Sequence, residues 1–464
     1  MLLHDLQNYC PGAIPMHMPG HKRNTALAPY LAALGADMDI TEIDGFDDLH
    51  APEGILKESM CRAARLWGSD ESVYLVGGST CGLLSAVYAL SGNGGEAIVA
   101  RNCHKSVYHA LEITGLKPHY LFPETDLSRG VCGRVTAESV EKALESVPGA
   151  RFVLITSPTY EGVLSDVKEI CRIAHEKNVP VIVDEAHGAH LGLFDVFPEG
   201  AVNAGADIVI QSLHKTLPCL TQTAIAHLNG ARVDRRAFMH ALDIFETSSP
   251  SYLLMASIDG CVRLMEEKGR KILSDWMENL GWFYEEARLL RCLRVENRAG
   301  SDPGKLVVET SDAGLSGFEL INMLRTEFRI ELEMALPGFA LAMTGAGDTR
   351  ESIAALLSAL KVIDARLMPV KGKPIPTDTC IPEAVFSPRE ALSAEAETVN
   401  VQNAVGRVSA EYAWAYPPGI PLIVPGERVP EDFPKRWKAL CESGAKTLTT
   451  SGNEDGMSVI RERL

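Results

Sequence analysis

The sequence predicts an α/β fold whose core is a mostly parallel β-sheet with helices on both faces. Three short runs are almost wholly apolar, as strands buried on both faces are: residues 152–156 (FVLIT), 179–184 (VPVIVD) and 207–212 (DIVIQS). A helical pattern near residues 169–177 separates the first two runs. Apolar strands that alternate with helices indicate a parallel sheet that is covered on both sides.

Earlier elements fit the same alternation. Residues 55–67 place Leu56, Met60, Ala63, Ala64 and Trp67 on one face of a helix. The later elements of this half are predicted strands at 73–76 and 97–100, a helix that follows the first of them (LLSAVYAL), and a helix at 106–112.

The pattern of apolar runs and helical segments changes after about residue 290. We predict an N-terminal arm at 1–45, a large domain at 46–290 and a smaller α/β C-terminal domain at 291–464. Within the last domain, residues 305–309 predict a strand and residues 318–328 a helix. The prolines of 365–392 predict an irregular connection, and those of AYPPGIPLIVPGE exclude a helix there.

Composition excludes several classes of protein. Of 464 residues, 46% are hydrophobic and 23% charged, as in packed globular proteins, so the chain as a whole is neither disordered nor fibrous. Lysine and arginine number 44 against 61 acidic residues, a net charge of −17. So acidic a chain is a poor partner for nucleic acid or for an anionic membrane surface.

The cysteines predict a reducing environment. Eleven are scattered along the chain without a C-x-x-C pair, which indicates reduced thiols in a cytoplasmic protein rather than a disulfide framework or a zinc site. Asp5 and Pro11 come too early for the apolar region of a signal peptide, and no run of 18 apolar residues exists. We therefore expect no membrane association.

Three motifs could carry chemistry. Lys215 lies just beyond an apolar run, where ligands of α/β sheets bind, and a lysine there can form a Schiff base with a carbonyl compound. Asp184 ends another apolar run, where a partly buried carboxylate needs a cationic or hydrogen-bonding partner. Residues 77–82 (GGSTCG) link a strand to a helix, and the backbone N–H groups of such a turn favour an anion.

Each motif alone has an ordinary explanation: a surface lysine, a capping carboxylate and a helix cap. His187 and His190 suggest a metal beside Asp184, but no convincing fourth ligand exists, so we predict no metal site. Together, a Schiff-base lysine, an acid for a pyridine nitrogen and an anion site fit pyridoxal 5′-phosphate.

The order of the motifs resembles the aspartate-aminotransferase-like fold (fold type I) and, within it, the ornithine/lysine/arginine decarboxylase family. The matching strings run through most of the chain: MPGHK at 18–22, TEI at 41–43, DDLH at 47–50, GGST at 77–80, RNCHKS at 101–106, SPTYEG at 157–162, DEAHGAH at 184–190, SLHK at 212–215, TSSPSY at 247–252, YPPGIP at 416–421 and PGE at 425–427.

The resemblance implies the residues that contact the cofactor ring. Lys215 corresponds to the Schiff-base lysine and Asp184 to the carboxylate that keeps the pyridine nitrogen protonated. Ala186 is expected against one face of the ring and His104 against the other. His187 fits near the reacting carbon, although packing behind the site is equally consistent. His104 and Lys215 are the candidate proton donors.

The resemblance also implies the phosphate ligands. Ser79 and Thr80 are expected to hold the phosphate, helped by Ser212 and His214. Thr247 and Ser249 match positions that reach the phosphate region from the other subunit, although a simple turn before Pro250 explains them equally well. The implied assembly is a homodimer with shared active sites, or a higher oligomer.

The implied reaction is α-decarboxylation of a basic amino acid. The chain reaches MPGHK by residue 18, which leaves no room for the receiver-like N-terminal domain of some members and predicts the compact, more often biosynthetic form, for which arginine is the commonest substrate. Lysine and ornithine remain alternatives. Candidate substrate contacts are Tyr160 and a carboxylate for the cationic side chain, either Glu427 or Glu411.

Two features leave alternatives open. Residues 43–46 (IDGF) stand where the family resemblance predicts a more apolar stretch, which bears on the mouth of the pocket. A transaminase would use a small-domain arginine for the α-carboxylate, and Arg350 is the nearest candidate. A non-catalytic, cofactor-binding homologue is disfavoured because Lys215 and Asp184 are both present.

Overall fold

The computed structural model describes residues 1–126, 131–370, 381–416, 420–442, 446–452 and 456–461. The chain divides into two compact units. The first unit comprises Met1–Leu90, Pro180–Asp275 and Gly345–Gly347, and the second comprises Ser91–Val179, Trp276–Thr344 and Asp348–Leu464. The predicted domain boundaries near residues 45 and 290 stay predictions.

The α-helices of the described residues are α1 (Leu2–Tyr9), α2 (Ile55–Trp67), α3 (Gly78–Ser91), α4 (Lys105–Thr114), α5 (Ala137–Ser146), α6 (Val167–Glu176), α7 (Leu213–Thr216), α8 (Arg235–Phe245), α9 (Tyr252–Ala287), α10 (Gly317–Phe328), α11 (Arg350–Arg366), α12 (Pro388–Ser393) and α13 (Phe433–Glu442). Short 3₁₀ helices are Cys10–Gly12, Pro29–Leu34 and Val401–Ala404. In this part of the chain no helix is both long and apolar enough to span a membrane.

The strands are β1 (Glu71–Leu75), β2 (Glu96–Ala100), β3 (Lys117–Leu121), β4 (Thr125–Asp126), β5 (Val131–Cys132), β6 (Val153–Thr156), β7 (Val181–Asp184), β8 (Ile208–Gln211), β9 (Ala224–Leu228), β10 (Lys305–Glu309), β11 (Met334–Leu336), β12 (Phe339–Met343), β13 (Ala396–Asn400), β14 (Ala413–Tyr416), β15 (Pro421–Ile423), β16 (Lys446–Thr449) and β17 (Gly456–Ile460). A mixed, mostly parallel sheet contains seven of them, namely β1, β2, β3, β6, β7, β8 and β9.

In the first unit, the sheet strands run in the order β1, β9, β8, β7. Strand β8 is parallel to β7, with Asp184 opposite Ile210, and antiparallel to β9, which is itself antiparallel to β1. Every residue of β7, β8 and β9 is buried, which explains their almost continuous apolar sequence. Helix α2 buries Leu56, Met60 and Trp67, the stripe that its sequence predicts.

In the second unit, β2 pairs in parallel with β3 and with β6. Helix α6 is amphipathic: it buries Ile170, Cys171 and Ala174, and Asp166 caps its N-terminus by accepting a hydrogen bond from Glu169 N. A separate antiparallel sheet contains β10, β12 and β11, and further small sheets contain β13 to β17.

The α/β fold with a mostly parallel sheet is therefore confirmed, as is the strand at 305–309. One expectation was too simple. The stretch 365–392, predicted to be irregular, contains α12, because Ser387 and Glu390 form a capping box and Pro388 occupies the first turn, where proline is tolerated. Residues 371–380 of that stretch and 417–419 of the YPPGIP string lie outside the described residues.

Candidate cofactor site

Two neighbouring strands of the first unit end at the predicted ring-binding residues. Strand β7 ends at Asp184, and β8 ends at Gln211, one residue before Ser212 begins the turn into α7 and Lys215. Because β7 and β8 are parallel, both carboxyl ends meet at one edge of the sheet. Ligands of α/β sheets bind at such an edge.

Lys215 is paired with a histidine from the DEAHGAH string. Its Nζ lies 2.8 Å from Nε2 of His187. An ammonium group can only donate hydrogen bonds, so a charged Lys215 requires Nε2 of His187 to be the acceptor and Nδ1 to carry the ring proton. The contact fixes both the direction of the lysine side chain and the tautomer of the histidine.

Asp184 is a buried carboxylate with 3% of its surface exposed. Its Oδ1 accepts a hydrogen bond of 3.1 Å from the backbone N–H of Ala186. Burial raises the pKa of Asp184, while the positive charge of Lys215 and the Ala186 N–H act in the opposite direction. A cation beside this carboxylate would favour its ionised form, and a protonated pyridine nitrogen is such a cation.

The glycine turn and the turn after β8 bring two predicted phosphate ligands together. Oγ of Ser79 lies 2.7 Å from Oγ of Ser212. Ser79 belongs to the first turn of α3, whose initial Gly78 has a φ of +75°, a value that favours glycine. Thr80 follows in the same turn and is exposed. The first unit thus presents hydroxyl groups beside a helix N-terminus, a suitable arrangement for a phosphate.

A carboxylate that sequence reasoning missed holds this turn in place. Oε2 of Glu246 accepts hydrogen bonds from the backbone N–H groups of Val76 (3.0 Å) and Gly77 (2.8 Å). Oε1 accepts one of 2.9 Å from Thr247 N. Only its position directly before the TSSPSY string could have drawn attention to Glu246, because its partners are distant in sequence.

His214 has a different main contact from the one that the sequence suggested. Its Nδ1–H donates a 2.8 Å hydrogen bond to the carbonyl oxygen of Thr223. Burial lowers the pKa of His214, the Thr223 carbonyl opposes this, and the charge of Lys215 adds to it. Nδ1 is therefore occupied within the chain, and the predicted phosphate contact would have to use Nε2.

Thr247 and Ser249 lie in the connection between α8 and α9 and are exposed in the single chain. Ser249 N donates to Oγ1 of Thr247 at 3.2 Å, which forms a local turn. The carbonyl oxygen of Thr247 accepts a 2.8 Å hydrogen bond from His50 Nε2. Their predicted role toward a second subunit stays a prediction.

The second unit contains the remaining predicted residues. His104 is the N-cap of α4: its Nδ1 accepts a hydrogen bond from Ser106 N and lies 2.9 Å from Ser106 Oγ, and its side chain is exposed. With Nδ1 as acceptor, the neutral ring carries its proton on Nε2. The hydroxyl of Tyr160 donates to Glu333.

Both candidate substrate carboxylates are buried and engaged. Glu427 forms a bidentate ion pair with Arg101, with 2.8 Å from Nε to Oε1 and 2.9 Å from Nη2 to Oε2. Glu411 accepts hydrogen bonds from the backbone N–H groups of Ser451 (2.8 Å) and Ser458 (2.6 Å). These contacts give both glutamates structural roles, and a contact with substrate stays a prediction for each.

Comparison with known proteins identifies the family of this chain. The family model for the major domain of the Orn/Lys/Arg decarboxylases matches residues 6–299, and the model for their C-terminal domain matches residues 377–443. A protein of Bacillus subtilis named arginine decarboxylase is 32% identical over 434 residues, which cover 90% of this chain and 89% of the relative.

Solved structures show the same fold. The lysine decarboxylase of Francisella novicida superposes with a TM-score of 0.84 at 19% identity, over 99% of this chain and 81% of the other. A ureidoglycine–glyoxylate aminotransferase of Bacillus subtilis gives a TM-score of 0.57 at 15% identity, over 73% of this chain and 90% of the other. At these identities the likeness concerns the fold, which is fold type I.

Proposed function

Because the chain belongs to the Orn/Lys/Arg decarboxylase family, and is thus an amino-acid decarboxylase that depends on pyridoxal phosphate, we propose that its substrate is arginine and its product agmatine. The observation that carries the reaction class is the placement of Lys215 and Asp184 at the ends of two adjacent parallel strands. The assignment of arginine as the substrate is based on the relatives.

The residues of the first unit fit the cofactor. Asp184 is a buried carboxylate on a strand whose other residues are apolar. Lys215 provides an amine. The hydroxyl groups of Ser79 and Ser212 lie together beside the N-terminus of α3. Bound there, pyridoxal phosphate supplies a ring that accepts the electron pair released as the carboxylate leaves the substrate.

The chain's own residues bind the cofactor and move protons around it. Lys215 would hold the cofactor through its ε-amino group. Asp184 would keep the ring nitrogen of the cofactor protonated, because a cation stabilises its buried carboxylate. Lys215 and His104 are the candidates to return a proton to Cα, and His187 orients Lys215 through the 2.8 Å contact. Ala186 and His104 would be the residues that pack against the ring.

The phosphate would be held by Ser79, Thr80 and Ser212, with His214 through Nε2. The acidic character of the chain, with a net charge of −17, favours a cationic substrate over an anionic one. Arginine is preferred because the relative named arginine decarboxylase is 32% identical over most of both chains, while lysine decarboxylase is the name of a structure that is 19% identical.

We also propose that the active enzyme is a homodimer, or a higher oligomer, in the cytoplasm, with a role in polyamine biosynthesis. Thr247 and Ser249 are exposed in the single chain and are available to a second copy. The cysteines are scattered along the chain without a C-x-x-C pair, which suits a reducing compartment.

Product analysis tests this function. Purified protein supplied with pyridoxal phosphate is offered arginine, lysine and ornithine separately, beside Lys215→Ala as a control. We expect agmatine from the wild type alone, and cadaverine and putrescine at much lower rates. Preferential release of cadaverine or putrescine would replace arginine as the substrate, and release of no amine from any of the three would overturn the proposed function.

A further inference from the structure

A buried ion pair joins the C-terminal region to the strand end that carries His104. Arg101 follows β2 directly and is 7% exposed, and its partner Glu427 is 1% exposed. The pair is bidentate, and Oε2 of Glu427 also accepts a 2.9 Å hydrogen bond from Val424 N. Both carboxylate oxygens are therefore directed at groups of the protein itself.

The same arginine anchors both sides of the turn that contains His104. Its Nη1 donates to the hydroxyl of Tyr108 at 3.0 Å, and that hydroxyl donates to the carbonyl oxygen of Arg101 at 2.6 Å. Nη1 also donates to the carbonyl oxygen of Pro421 at 2.8 Å. Arg101 stands before His104 and Tyr108 stands one helical turn after it, so the two residues bracket the histidine.

The chain between these anchors is short and tightly packed. The backbone N–H of Arg101 bonds to Leu121 O at 2.8 Å, and Cys103 is fully buried. Val107 N donates to the carbonyl oxygen of His104 at 2.9 Å, which starts α4. A shift of the Arg101 guanidinium would therefore move the turn and, with it, the direction of the His104 ring.

We propose that Glu427 is a positioning residue: through Arg101 and Tyr108 it fixes the orientation of His104, and it does not contact the substrate side chain. The inference rests on the proposed function, in which His104 packs against the cofactor ring. Glu427 would then affect the rate of the reaction and not the choice of substrate.

The proposal separates two effects that a substrate contact would combine. A carboxylate that bound the guanidinium of arginine would set KM and the preference for arginine over lysine. A positioning residue changes kcat by the same factor for both substrates and leaves KM alone. Because displacement of a catalytic group by about 1 Å can lower a rate about 100-fold, we expect Glu427→Gln to lower kcat roughly 10- to 100-fold.

Asp364→Asn is the matched control. Asp364 is a buried carboxylate of the second unit that accepts hydrogen bonds from the backbone N–H groups of Arg291, Cys292 and Leu293. We expect this variant to keep kcat within about threefold of the wild type once it is folded. An equal loss of kcat in both variants would show a general effect of a buried carboxamide and would overturn the proposal.

A double-mutant cycle tests the path through His104. If Glu427 acts by way of His104, Glu427→Gln has no further effect on kcat in a His104→Ala background. Additive losses, or a rise in KM confined to arginine, would overturn the proposal. The visible circular dichroism of the bound cofactor gives a readout without turnover: Glu427→Gln and His104→Ala should change it in the same direction, and Asp364→Asn should not.

Folding is controlled by a second variant. Loss of one partner of a buried ion pair is strongly destabilising, whereas replacement of both by apolar residues of similar volume is often tolerated. The double variant Arg101→Met/Glu427→Leu should fold and still show the lowered kcat with unchanged KM. A folded double variant with wild-type kcat would overturn the proposal. If the wild type releases no amine from arginine, lysine or ornithine, the proposed function fails, and the dichroism comparison still decides whether Glu427 orients His104.

Discussion

The ε-amino nitrogen of Lys215 lies 2.8 Å from Nε2 of His187. His187 belongs to the loop after β7, and Lys215 belongs to the short helix α7 after the adjacent strand β8. His187 lies three residues beyond Asp184, so one loop after β7 supplies both the buried carboxylate and the partner of the lysine. The parallel pairing of β7 and β8 brings these groups to the same edge of the sheet.

We expect His187→Phe to lower kcat roughly 10- to 100-fold, because a hydrogen bond to a charged group contributes about 1.5–3 kcal/mol. Phenylalanine retains an aromatic ring but offers Lys215 no acceptor. His187→Gln restores an acceptor and should recover much of the activity. Steady-state release of agmatine, measured for the three proteins, provides the comparison, and equal kcat values would mean that the contact does not serve the reaction.

The sequence was informative where chemistry and local pattern coincide. Asp184 ends an apolar run and Lys215 lies just beyond another, so the position of each after a buried strand could be predicted from the sequence. The contact of Glu246 with Val76 and Gly77 could not be, because it joins the end of α8 to the turn before α3, which lies far away in the sequence.

The same limit applies to Glu427. A carboxylate in a C-terminal motif suggested a partner for a cationic substrate. No neighbouring residue in the sequence indicated that this carboxylate pairs with a cationic side chain of the protein itself. Arg101 was visible only as the first letter of the RNCHKS string, and its pairing with Glu427 depends on how the second unit folds.

A chain of buried polar side chains crosses the first unit's strands behind Asp184. Oγ of Ser72 lies 2.8 Å from Nδ1 of His227, Nε2 of His227 lies 3.2 Å from Oε1 of Gln211, and Nε2 of Gln211 donates to Glu185 at 2.8 Å. Burial lowers the pKa of His227 to about 3, so the ring is neutral at physiological pH. This series of hydrogen bonds therefore ends at the Glu185 carboxyl group.

Glu185 predicts a pH dependence of stability. Burial, with a smaller contribution from Asp184, raises its pKa from 4.5 to about 8, against hydrogen bonds from Gln211 and Ala201. Between these values the folded protein binds more protons than the unfolded chain, so stability falls as pH rises through this window. The contribution of His227 to the pH dependence of stability has the opposite sign. It is confined to pH below about 6.5, where the histidine gains a proton in the unfolded chain.

Between pH 6.5 and 8, Glu185 is the residue of this hydrogen-bonded series that changes its protonation, because His227 is neutral in both the folded and the unfolded protein. There we expect the wild type to lose about 2 kcal/mol relative to Glu185→Gln, at roughly 1.4 kcal/mol for each pH unit. Thermal unfolding midpoints of the two proteins at both pH values measure the difference. A wild type that gains stability over this interval relative to the variant would contradict the assignment.

Glu246→Ala should weaken cofactor binding, because the N–H groups of Val76 and Gly77 lose their acceptor and the turn that leads into Ser79 loses its anchor. Loss of a partner for buried N–H groups costs about 1–3 kcal/mol, so we expect the Kd for pyridoxal phosphate to rise about tenfold or more. Absorbance titration of the apoenzyme measures Kd. Asp243→Ala, in the helix α8 that directly precedes Glu246 but bonded to His50, is the control, and its Kd should stay near that of the wild type. Equal affinities in both variants would show that the turn keeps its shape without Glu246.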